Sequence, residues 1–197
     1  MDTTTGLRAR LEEAIALLPP IGAEALLSRA LYRLGEVAHA SGDYENAMAL
    51  VVRARDIRAR QGDDIFVAQM QDVLAYLMLE TGRVEEARKA LDALVPTLFR
   101  LKQPTVKLQV LESYVLLLSR LGALREATTA QGAVEALREQ LGLAMDAPDD
   151  QLVEAEVAGL RSQLGPNAWQ TAIEAGRRLS SDEALTSAQK AAAACRG

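Results

Sequence analysis

Few side chains in this chain are of kinds that break bonds or hold metals, and their spacing limits what they can do. There is one histidine, His39, and one cysteine, Cys195, in 197 residues. A Cys/His zinc cage takes four such ligands and a disulfide takes two cysteines, so neither is expected, and no cofactor is implied. Cys195 follows four alanines and has only Arg196 as a cationic neighbour. A reactive thiolate wants a more positive pocket, so this one reads as incidental. His39 has no cysteine or second histidine nearby to make a metal site or nucleophile pair, and reads as a polar surface residue. The acid pairs Asp63-Asp64 and Asp149-Asp150 fall at expected helix starts, where the helix dipole accounts for them without hydrolase chemistry. No GxxxxGK[ST] phosphate loop occurs, nor a glycine signature following a strand. Arg53, Arg55, Arg58 and Arg60 enclose Asp56 and have no interleaved aromatics, which suits a solvated outer helix better than a nucleic-acid face. Recognition is left as the expected chemistry, and no enzyme is expected.

Composition narrows the elements that must position these residues. Lys and Arg number 22 against 27 Asp and Glu, a net charge of −5, which makes nucleic acid a poor default partner. Aromatic residues are only 4% while hydrophobic residues are 49%, with Ala and Leu dominant, so helices are favoured over sheets. No run is apolar enough for a membrane span and no export signal is read at the N-terminus, so a cytoplasmic setting is expected.

The organisation comes from a repeat. Ser41-Gly42-Asp43-Tyr44-Glu45-Asn46-Ala47, Thr81-Gly82-Arg83-Val84-Glu85-Glu86-Ala87 and Leu121-Gly122-Ala123-Leu124-Arg125-Glu126-Ala127 align at a spacing of forty residues. Apolar residues at spacings of three and four flank each glycine, as in Leu31, Leu34 and Ala38 before the first and Leu50, Val51 and Ala54 after it. Each unit reads as helix, tight turn, helix. The glycine takes the left-handed turn conformation, and the small alanine five residues on lets the second helix approach the first. Hairpins of this kind bury their apolar faces by stacking.

The run Leu31-x-x-Leu34-Gly35-x-x-Ala38-x-x-x-Gly42-Asp43-Tyr44-x-x-Ala47, followed by Val51 and Ala54, resembles a tetratricopeptide (TPR) repeat. Two more degenerate units follow it, built on Leu74, Gly82, Ala87 and Leu91 and on Tyr114, Gly122, Ala127 and Val134. The units are longer than the family's usual length of about 34 residues and lack its closing proline. Repeats of this length also resemble the sensor regions of large ATP-dependent bacterial transcriptional regulators, LuxR-type and maltose-activator-like. The tail residues Trp169, Gly176, Leu179-Ser180 and Glu183-Ala184-Leu185 are similar to the segment closing those regions. The resemblance implies an all-α, right-handed α-solenoid: an N-terminal helix over 1–21, three TPR-like hairpins over 22–142 and a helical cap over 143–197. It also implies a concave groove lined by the first helix of each hairpin. Those positions are Arg29, Tyr32, Arg33, Glu36 and His39, then Gln69, Asp72, Tyr76 and Leu79, then Gln109, Glu112, Leu116, Ser119 and Arg120. Arg29 and Arg33, one turn apart, could grip a carboxylate or phosphate. The function implied is a scaffold for a protein or peptide partner, with self-association through an exposed end of the stack. A small-molecule sensor detached from a larger regulator is the alternative.

Four further expectations follow from local signals. A helix over 7–18 stops at Pro19-Pro20, and Pro96 should kink or restart the helix that contains it. Beyond Gly142, Asp146 to Asp150 reads as a turn and helix start. Ser180 with Glu183 three residues on reads as a capping box for a final helix.

Overall fold

The computed structural model describes residues 3–19, 22–143 and 151–195, all helices and their connections. The protein is all-α, with no strand among the described residues. Its helices are α1 (Thr3–Leu17), α2 (Glu24–Ala40), α3 (Tyr44–Arg60), α4 (Asp64–Glu80), α5 (Val84–Leu101), α6 (Pro104–Arg120), α7 (Leu124–Leu141), α8 (Gln151–Leu164), α9 (Pro166–Arg177) and α10 (Ser181–Ala194). The turn expected over Asp146 to Asp150 lies outside the described residues.

A register finer than forty residues runs through the joints. Left-handed backbone occurs at Gly22, Gly42, Gly62, Gly82, Lys102, Gly122 and Gly142, every twentieth residue. After most of these positions the next amide donates to the carbonyl five residues earlier, as Asp43 N to Ala38 O (2.9 Å) and Ala123 N to Leu118 O (2.9 Å). That bond closes the helix and turns the chain, and it needs a positive φ at the residue before it. Helices of about seventeen residues separated by three-residue turns are the result.

The chain forms two compact units, Met1–Leu77 and Met78–Gly197. In the first, α2 packs on α3 and on α1. A Cβ at Gly35 would lie 3.3 Å from Val51 Cγ2 and 3.4 Å from the Ala47 carbonyl oxygen. The small pair Gly35 and Ala47 therefore lets the α2 and α3 backbones approach. In the second unit α6 is central, touching α5, α7, α8 and α10. Its sequence explains this: from Val106 to Leu118 only Gln109 and Glu112 escape burial, and a helix apolar on nearly every side must be covered on every side. The helix α5 runs through Pro96 without the expected restart and closes at Lys102. The helix α9 lies directly on α7, with Gly132 and Gly176 at the contact. The Ser180–Glu183 capping box is present at the start of α10 in both its hydrogen bonds.

Candidate binding face

Within the first unit, positions 32, 36 and 39 of α2 and 69, 72 and 76 of α4 form one face. Each set follows helical spacing, so each presents one side of its helix. His39 makes ring contacts with Tyr76 (6.1 Å, edge-on) and with Tyr44 (5.6 Å). Tyr44 is missing from the sequence-derived set. The Gly42 turn returns it over the last turn of α2, a signal visible once the turn is recognised. Tyr32, Glu36, His39, Gln69 and Tyr76 are half-buried, Asp72 is buried, and Arg29 and Arg33 are exposed. Burial pushes the Tyr32 phenol up to about 12, helped by the carboxylate of Glu36 and further by that of Asp72. Arg33 pairs with Glu36 at 2.8 Å. The Arg33 guanidinium is thus shared with a carboxylate of its own helix, whereas Arg29 stands exposed one turn before it.

This face rests on a tie that sequence reasoning placed in solvent. The Arg58 side chain is only 17% exposed. Its guanidinium donates to Ser28 Oγ (3.3 Å), to the Ala25 carbonyl (3.3 Å) and to Asp63 (3.1 Å), and it lies 4.8 Å from the Phe66 ring centroid. One side chain thus joins the start of α2, the end of α3 and the start of α4. Ser28 in turn donates to the Ala54 carbonyl. Arg53 and Arg60 are exposed as expected, and Arg55 pairs with Asp56. The Asp63 carboxylate also accepts from the Phe66 amide at 3.1 Å, and Asp64 follows in the first turn of α4. That is the helix-start role expected of the pair, while Asp149-Asp150 lies outside the described residues.

In the second unit the expected groove positions on α6 are differently placed. Gln109 is exposed. Glu112 pairs with Arg138 of α7 at 2.5 Å. Arg120 and Ser119 both reach Glu156 of α8, at 2.9 and 2.7 Å. Leu116, like Leu79 of α4, is 1% exposed and belongs to the core. A buried polar network also went unseen in the sequence. Arg88, 2% exposed, donates to Glu85 and to Asp92 (2.6 Å), while Asp92 accepts from the Tyr114 hydroxyl (3.0 Å) and its backbone carbonyl accepts from Gln189 (3.2 Å). Burial, then the neighbouring Asp92 carboxylate, pushes the Tyr114 phenol up.

Cys195 is exposed, and among the described residues no group of three His, Cys, Asp or Glu side chains could hold a metal. No helix among them is long and apolar enough to cross a membrane. Fold and face together define an all-α protein whose first unit presents a mixed aromatic and charged helix surface. No protein-family model, curated protein or solved structure matches the chain.

Proposed function

We propose that this protein is a non-catalytic interaction scaffold, a right-handed α-solenoid of TPR-like hairpins that binds a peptide or partner domain, in signalling or transcriptional regulation. The observation that carries the reading is the gathering of Tyr32, Glu36, His39, Gln69, Asp72 and Tyr76 on one face of α2 and α4. Rings that keep part of their surface in solvent, beside charged groups, supply both contact area and hydrogen bonds to a partner, as interface hot spots do. The twenty-residue register of the joints supports the repeat reading. Binding would work by complementarity over a prebuilt surface, with no chemical step.

The test is affinity capture from host lysate with three baits. One is wild type, one carries Arg29→Glu and Arg33→Glu on the proposed face, and one carries Arg53→Glu and Arg60→Glu on the exposed side of α3. Both double variants make the same charge change, so general electrostatics cancels between them. Proteins kept by the wild type and the α3 variant but lost by the face variant are the expected result. Identical protein lists from all three baits would remove the face from consideration.

A second reading, a small-molecule-sensing repeat domain of a larger ATP-dependent regulator, is favoured by one observation: an open recess beside Trp169.

A further inference from the structure

We propose that the recess beside Trp169 binds a monocarboxylate carried on a short apolar body. It has a volume of about 620 Å³ and is lined by Glu135 of α7, by Val157, Ala158, Arg161 and Ser162 of α8, and by Trp169 of α9. That volume suits a small organic molecule. Val157, Ala158 and the indole of Trp169 provide the apolar surface, and Ser162 adds a hydroxyl to the lining.

The charges decide which ligand fits. Glu135 is already engaged by Arg177 (3.5 Å) and by the side-chain amide of Gln131 (3.5 Å) on its own helix. Arg161 is exposed and makes no ion pair among the described residues. Among the described residues that line the recess, Arg161 is therefore the cationic group whose donors are not already taken. A cationic ligand would meet the Arg161 guanidinium, and a neutral one would leave that guanidinium without a partner. An apolar carboxylate uses both features: its body lies against Val157, Ala158 and Trp169, and its head accepts the paired N–H groups of Arg161. The proposal is independent of the α2 and α4 face. Two sources share this chemistry, a free alkanoate and the C-terminal carboxylate of a peptide ending in an apolar residue.

Trp169 is the chain's only tryptophan, so its emission reports on this site alone. The experiment titrates the full chain with octanoate, N-acetyl-alanyl-leucine, octanol and octylammonium chloride, in wild type and in Arg161→Gln. Because Arg161 is exposed, the variant is expected to keep the wild-type circular dichroism melt, and that melt is recorded with each titration. A saturable change with at least one carboxylate, weakened about tenfold in Arg161→Gln and not reproduced by octylammonium, is expected. The carboxylate that binds more tightly identifies the source. The site is overturned if neither carboxylate gives a saturable change. It is overturned equally if octylammonium matches them, or if the variant binds as tightly as wild type.

Discussion

Lys102 carries a backbone cost that its counterparts avoid. At φ 52° and ψ 33° it is the one non-glycine residue with left-handed backbone among the described residues, and it stands in a register otherwise held by glycine. For an L-residue this conformation costs roughly 1–2 kcal/mol, because Cβ crowds the following carbonyl. Glycine removes that cost but gives back about 0.4–1 kcal/mol through the greater freedom of its unfolded chain. The Lys102→Gly substitution is therefore expected to stabilise the protein by about 0.5–1 kcal/mol, read as a higher urea midpoint at unchanged slope. A lower midpoint would mean that the lysine side chain contributes more than its backbone costs. The position also marks a limit of reading by residue type. A search for glycine at forty-residue spacing finds Gly42, Gly82 and Gly122, but the twenty-residue period is broken in sequence where the chain writes Lys102. The backbone keeps a rhythm there that the letters do not.

Between elements, α7 and α9 approach closely at two glycines. A Cβ on Gly176 would stand 1.9 Å from the Thr129 carbonyl oxygen, and one on Gly132 would stand 2.2 Å from the Ile173 carbonyl oxygen. The obstructing atoms are backbone, which cannot rotate away as a side-chain tip can, so the helices would have to separate. Gly132→Ala and Gly176→Ala are each expected to destabilise by about 1–3 kcal/mol or more, despite the better helix propensity of alanine. Gly159 of α8 is the control, since a Cβ there meets only the Gln163 amide nitrogen at 3.9 Å. Gly159→Ala should stabilise by up to about 1 kcal/mol. Thermal melts of the three variants decide the matter, and equal shifts of one sign would disprove the close approach. Elements were legible where the signal is local. The hairpin turns, the Ala47 approach and the Ser180–Glu183 box each lie within a few residues of chain. The pairing of Gly132 with Ile173 joins residues about forty apart, and nothing in either stretch names the other.

At the scale of the whole molecule, the all-α class was legible from composition, because a chain rich in Ala and Leu and poor in aromatics has little material for sheets. The ties inside each compact unit were not, because burial rather than residue type sets the role of an arginine. Arg58 and Arg53 are the same letter on one helix, yet one joins three helices and the other is exposed. The candidate face was legible in part for the same reason. Spacing places 32, 36 and 39 together on α2, but only packing decides that Leu79 and Leu116 enter the core. In the second unit the corresponding tie is Arg88 with Asp92, Tyr114 and Gln189, which links α5, α6 and α10. Its energetics predict a non-additive response. Asp92→Ala leaves a buried guanidinium with only the exposed Glu85 as counter-ion, and takes the acceptor from the Tyr114 hydroxyl, so it should destabilise by about 3–5 kcal/mol. Replacing Arg88, Asp92 and Tyr114 together, as Arg88→Met with Asp92→Leu and Tyr114→Phe, leaves no buried charge or orphaned hydroxyl in the network, and Gln189 keeps its backbone acceptor. The triple variant is expected to be more stable than Asp92→Ala alone, since desolvating an ion pair offsets most of its mutual attraction. Urea unfolding followed by Trp169 emission reports on this unit directly. If the losses instead added residue by residue, the network would be a sum of separate surface contacts, and the burial of Arg88 would have no energetic consequence.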